Sequence, residues 1–223
     1  MQYFHRFFDT VAWDARGYGD SDDYDGDLNF EDFSKDLLTL INHCNSEKAH
    51  LCGLSMGGQI AQDFYRLYPD RVKSLTLAAT FTHWLAILNQ DALNKYLDLR
   101  LHALKYKNKS LNDIAQDAAK QLIGPKTSKN VLQQITDSMG MLHKDSYIKT
   151  LISSTQYTNI VELEKITVPT LYIFAEDDSL CPVEYGITMA KKTPNSQFVL
   201  VKNSGHLINL EQPEYFNESV LNF

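Results

Sequence analysis

The stretch Lys48-Ala-His-Leu-Cys-Gly-Leu-Ser-Met-Gly-Gly-Gln-Ile-Ala-Gln-Asp-Phe-Tyr65 carries the strongest local signal in the chain. At its centre lies Gly53-Leu54-Ser55-Met56-Gly57, a G-x-S-x-G pentapeptide. A short apolar run with Leu51 and Cys52 leads in and reads as the end of a buried strand. Behind it, Ile60, Phe64 and Leu67 fall at helical spacing until Tyr68-Pro69 stops the helix. Strand, sharp turn and helix are the context of a nucleophile elbow, with the Ser55 hydroxyl exposed in a strained conformation. Gly53 and Gly57, having no side chains, are expected to let strand and helix approach closely. The helix N-terminus points at the serine, and the Met56 amide is a candidate oxyanion donor.

Working outward, the 223 residues suit one domain, or one domain with a large insertion. Hydrophobic content of 43% with 22% charged residues is that of an ordinary globular chain. A net charge of −7 without a dominant Lys/Arg cluster argues against nucleic acid as a partner. Cys44, Cys52 and Cys181 are widely spaced and odd in number, which suggests free thiols in a reducing compartment. Met1 to Phe8 lacks the layout of a signal peptide, and no apolar run approaches the roughly 18 residues of a membrane span. The expectation is a cytoplasmic protein with no membrane partner. His5, His43, His50, His83, His102 and His143 show no paired ligand spacing, so no metal site is expected. Gly53 to Gly58 is no phosphate loop either, because no Lys-Ser/Thr follows.

Taken in order, Phe4, Phe7 and Phe8 fit one face of a short helix, and Thr10-Val-Ala-Trp13 reads as a strand. Asn29 and Asp32 form a capping-box variant before a helix whose Phe33, Leu37, Leu40 and Ile41 are expected to pack on the sheet. Val72 to Ala79 is a further strand. From Phe81 to about Lys165 the β signal fades and helical segments follow, for instance Leu85 to Leu104 and Leu111 to Leu122, broken at Gly124-Pro125. Strands return at Thr170 to Ala175 and Gln197 to Lys202, separated by a helix from Val183 to Lys192. Gln212-Pro213 opens a last helix. The expected organisation is an α/β core over 1–80 and 166–223, with a mainly parallel sheet covered on both faces and a helical cap over 81–165.

Three chemically matched groups follow three of these strands: Ser55, an aspartate at 177 or 178, and His206. A serine hydroxyl is a poor nucleophile until an imidazole takes its proton. A histidine titrates near neutral pH, and a carboxylate holds its tautomer and stabilises its cation.

The order Ser, Asp, His, with Asp14-Ala-Arg-Gly-Tyr-Gly-Asp-Ser21 and Gly53-Leu-Ser-Met-Gly-Gly58, resembles the α/β-hydrolase superfamily over nearly the whole chain. The likeness is greatest to 3-oxoadipate enol-lactonases and related carboxylesterases. It implies Ser55 as nucleophile, His206 as general base and then acid, and one oxyanion amide from Met56. It selects Asp178 as the acid, because the family motif places that residue four before a proline, here Pro182. It also implies a small ester or lactone substrate and no cofactor. In this superfamily a strand carrying a His-Gly loop precedes the segment at Asp14 and donates the second oxyanion amide. This chain has no such segment, so the N-terminal strands are expected to be missing and an unpaired sheet edge makes a homodimer possible.

Three readings follow. The first is a serine esterase or lactonase whose cap forms an apolar pocket from Trp84, Leu85, Leu88, Tyr96 and Met139, with Trp84 the candidate substrate contact. The second is a carbon–carbon bond hydrolase with the same triad. The third is a catalytically weak or inactive remnant of the fold. Dehalogenase and epoxide-hydrolase chemistry is disfavoured, since those relatives use Asp where Ser55 stands.

Overall fold

The computed structural model describes residues 3–159 and 161–223. Its sheet has four strands in the order β1 (Ala49–Leu54), β2 (Val72–Ala78), β3 (Thr170–Ala175) and β4 (Ser196–Val201). All neighbours are parallel, with Leu51 opposite Leu75, Leu77 opposite Tyr172 and Ile173 opposite Val199. Parallel strands need crossovers, and helices supply them. In chain order the helices are α1 (Glu31–His43), α2 (Met56–Leu67), α3 (Gln90–Tyr106), α4 (Asn112–Lys120), α5 (Lys129–Gly140), α6 (Lys144–Gln156), α7 (Val183–Lys192), α8 (Ile208–Glu211) and α9 (Pro213–Leu221), with α2 to α7 in the crossovers. Helices α3 to α6 all lie between β2 and β3, as the faded β signal predicted.

Burial follows position in the sheet. Every residue of central β3 is buried, which its continuous Leu-Tyr-Ile-Phe run requires. Edge strand β1 alternates instead, with Leu51 and Gly53 buried but His50 and Cys52 exposed. Phe8 lies beside this edge, 5.9 Å from the His50 ring.

Thr10 to Trp13 is not a strand. β-favouring residues form a strand only where a ladder partner exists, and no strand of the sheet pairs with this segment. Trp13 packs instead on a small cluster of Phe30, Phe33 and Ile60. The N-terminal aromatic helix shrinks to one 3₁₀ turn at Phe4–Arg6. The expected helix at Leu85 to Leu104 divides into a 3₁₀ turn at Trp84–Ala86 and α3, because Asn89 caps the latter by accepting from the Ala92 amide at 2.9 Å.

Helix α1 begins as its sequence implies, with Asn29 Oδ1 accepting from Glu31 N and Asp32 Oδ2 from Asn29 N. Its main contact, however, is α2 rather than the sheet. Ile41 reaches the sheet core, whereas Phe33 joins the small cluster. What draws α1 onto α2 is Asp63, whose side chain is fully buried. It accepts from Ser34 Oγ at 2.5 Å, from Arg66 and from the Tyr157 hydroxyl, while Arg66 also pairs with Glu31 at 2.6 Å. A buried charge is tolerable only when its lone pairs are filled in this way. Burial and the adjacent Asp63 carboxylate push the Tyr157 phenol up, so it stays a neutral donor. Tyr157→Phe is expected to cost about 1–3 kcal/mol of stability, read as a lower urea midpoint at unchanged m-value.

Candidate active site

The first site element is the turn after β1. Ser55 sits at φ 55°, ψ −119°, a left-handed conformation costing about 1–3 kcal/mol for a residue with a side chain. Its surroundings over-determine it. Ser55 N donates to Ala78 O at 2.9 Å, continuing the β1–β2 ladder. Its carbonyl accepts from Gly58 N at 2.9 Å, Gln59 N at 3.2 Å and Thr80 Oγ1 at 2.7 Å. The Met56 amide, first in α2, has no hydrogen-bond acceptor among the described residues.

Close approach rests on Gly53, as expected, and on Gly58 in place of Gly57. A Cβ at Gly53 would stand 2.2 Å from Gly57 O, and one at Gly58 would stand 2.6 Å from the Thr80 side chain. Gly57 faces open space, so its missing side chain is not what lets strand and helix meet.

Asp178 follows β3, and His206 follows β4, on the same rim of the parallel sheet as Ser55. Asp178 Oδ2 meets His206 Nδ1 at 2.9 Å, with both side chains nearly or wholly buried. Asp178 Oδ1 accepts from Leu180 N at 2.8 Å and Cys181 N at 3.0 Å. Asp177 is exposed, and its amide donates to Ser204 O. The carboxylate facing the imidazole is therefore that of Asp178. Because a carboxylate only accepts, it holds the proton on Nδ1 and leaves the Nε2 lone pair free. His206 N donates to Leu122 O at 2.9 Å. Ser55 Oγ makes no hydrogen bond to His206 among the described residues.

Asp178, Cys181 and His206 also lie close enough together to suggest a metal site. Their chemistry argues otherwise. His206 Nδ1 carries the proton it donates to Asp178 Oδ2, so in this pair it offers a cation no lone pair.

A cavity of about 150 Å³ opens on Ser55 and Met56. Trp84 and Tyr96 line it, as expected of the helical segment; Leu85, Leu88 and Met139 do not. Leu85 is exposed, and Leu88 packs against the main core. The sequence reading missed Tyr18, Gln59, Phe81, Tyr147 and Thr150 in the lining. Burial pushes Tyr18 up to about 12 and raises Tyr96 and Tyr147, so these phenols are neutral hydrogen-bond donors at neutral pH. Tyr18 had a visible signal, since it lies inside the Asp14 to Ser21 segment. Tyr147 and Thr150 sit on α6 with no local pattern to mark them.

A family model described as the alpha/beta hydrolase fold matches residues 3–213. The chain belongs to the α/β-hydrolase family. The 3-oxoadipate enol-lactonase 2 of Acinetobacter baylyi is 23% identical, over 99% of this chain and 80% of that protein. A 2-hydroxy-6-oxononadienedioate/2-hydroxy-6-oxononatrienedioate hydrolase of Paraburkholderia phymatum is 28% identical, over 96% of this chain and 75% of its own length. Among solved structures, a thermophilic esterase of Thermogutta terrifontis superposes with a TM-score of 0.83 at 26% identity, covering 94% of this chain and 76% of that one. The relatives of this α/β-hydrolase include esterases, enol-lactonases and carbon–carbon hydrolases, and the chain is a hydrolytic enzyme. No helix of the described residues is long and apolar enough to cross a membrane.

Proposed function

We propose that this α/β-hydrolase cleaves a small carboxylic ester or lactone through an acyl-enzyme on Ser55, His206 and Asp178. The observation that carries the reading is the buried Asp178–His206 hydrogen bond on the same sheet rim as a strained Ser55. Ser55 Oγ attacks the substrate carbonyl while His206 Nε2 takes its proton. The tetrahedral oxyanion accepts from the unoccupied Met56 amide. Collapse breaks the carbonyl–oxygen bond, and His206 returns the proton to the departing alkoxide. Water then repeats the sequence, with His206 as base, releasing the acid and regenerating Ser55. Asp178 keeps Nδ1 protonated and stabilises the imidazolium throughout.

Residues 81–165 serve as a cap over the rim, and Trp84 and Tyr96 contact the substrate from it. A cavity of this size with neutral phenols suits a short acyl group with a polar end. No cofactor enters the cycle.

The test is a substrate panel with short p-nitrophenyl esters, a five-membered lactone and a vinylogous diketo acid, run beside intact-mass analysis after fluorophosphonate treatment. One phosphonyl adduct per chain and turnover of ester or lactone are expected. Turnover of the diketo acid alone would replace this reading with carbon–carbon hydrolysis, as in the Paraburkholderia relative's name. A folded chain that takes no adduct and turns nothing over would make it a catalytically inactive form of the fold.

A further inference from the structure

We propose that Glu211 is a positioning residue for His206, which it clamps to the 122–127 segment between α4 and α5. The inference rests on the triad reading above. Glu211 ends the short helix α8, and its carboxylate turns back under the histidine loop. Oε2 accepts from Gly205 N at 3.0 Å, and Oε1 from Leu207 N at 3.2 Å. These are the two amides flanking His206. The same Oε2 accepts from Gly124 N at 2.8 Å and from Thr127 Oγ1.

The two loops meet backbone to backbone. A Cβ at Gly205 would stand 2.3 Å from Gly124 N, and one at Gly124 would stand 2.8 Å from Gly205 N. His206 N itself donates to Leu122 O at 2.9 Å. The base is thus held through its ring by Asp178 and through its backbone by Glu211 and Leu122.

Among the described residues no Lys, Arg or His forms an ion pair with Glu211. Four donors balance its charge, three of them backbone amides, and both of its oxygens must accept. Glutamine has nearly the same shape but turns one acceptor into an NH₂ donor. Whichever way that amide is placed, it faces an N–H of the histidine loop. The loop must then shift, and displacement of a catalytic group by about 1 Å costs on the order of 100-fold.

The experiment compares wild type, Glu211→Gln, His206→Ala and the double variant, with rates normalised to folded protein by circular dichroism. For Glu211→Gln, kcat and the fluorophosphonate labelling rate are expected to fall about 100-fold, with KM little changed and labelling still reaching one adduct. In the His206→Ala background the same substitution is expected to change the residual rate by less than about twofold, because it acts only through the imidazole. A purely structural role would lower the melting temperature while leaving kcat per folded molecule unchanged, and that result would overturn the proposal. Full activity of His206→Ala would instead sink the triad reading. Should Glu211→Gln fail to fold, Thr127→Val removes a single donor at constant shape. A several-fold loss of kcat that vanishes beside His206→Ala is then expected, and an unchanged kcat overturns the clamp.

Discussion

Ser55→Ala is expected to lower kcat by about a million-fold and to abolish fluorophosphonate labelling, while the protein stays folded. The chemical part of the argument is that alanine keeps the β-carbon and removes the only atom that bonds to the substrate carbonyl. The remaining rate would come from the Met56 amide and from binding alone. The structural part is that Ser55 is held by its backbone. Ala78 O, Gly58 N, Gln59 N and Thr80 Oγ1 all grip its main chain, and none of these bonds involves the hydroxyl. The elbow therefore survives the substitution, strain included. Ser55→Gly extends the test, since glycine adopts φ 55° freely. It should be equally inactive but about 1 kcal/mol more stable than Ser55→Ala in urea. Retained ester hydrolysis in either variant would remove Ser55 from the mechanism.

Asp178→Asn is expected to lower kcat by about ten-thousand-fold with little change in KM. Here the structure dictates how the asparagine must sit. Leu180 N and Cys181 N both donate to the Oδ1 position, so the asparagine oxygen is drawn there. Its NH₂ then occupies the Oδ2 position, facing His206 Nδ1. An NH₂ donor forces Nδ1 to accept, which moves the ring proton to Nε2 and removes the lone pair that must deprotonate Ser55. Asp177→Asn should leave kcat near the wild-type value, because Asp177 is exposed and, among the described residues, only its backbone amide is hydrogen-bonded. Equal losses at both positions would overturn the assignment of the acid. Steady-state kinetics on a short p-nitrophenyl ester read all of these outcomes.

Much of the architecture was legible in local patterns. Thr170 to Ala175 and Val183 to Lys192 are a strand and a helix with the limits the sequence suggests. A fully buried parallel strand is a continuous apolar run, and a helix bounded by Pro182 and Pro194 announces both ends. The placement of Ser55, an aspartate at 177 or 178, and His206 on one rim was legible for a related reason. Residues just after parallel strands share one rim, so chain position alone brings them to the same side of the sheet.

Where a feature depends on a distant partner, the local pattern was silent or misleading. Thr10 to Trp13 has strand-forming residues and no ladder to join. Gly53 and Gly57 both looked like residues that let strand and helix meet; Gly53 is one, but Gly57 faces open space and the second close approach is that of Gly58 to Thr80, beyond β2. The choice between Asp177 and Asp178 followed from a family motif. In the structure it is a matter of which carboxylate turns inward to His206. Tyr147 and Thr150 reach the cavity because α6, which packs on α3, brings them beside Ser55 and Met56. Glu211 meets Gly124 and Thr127 across a separation of more than eighty residues. Sequence by itself determined the parallel α/β order and the chemical identity of the three rim residues, because periodicity and turn chemistry act over a few positions. Only the tertiary structure decided which glycine packs, which aspartate pairs and what holds the histidine, because those are contacts between segments that the chain keeps far apart.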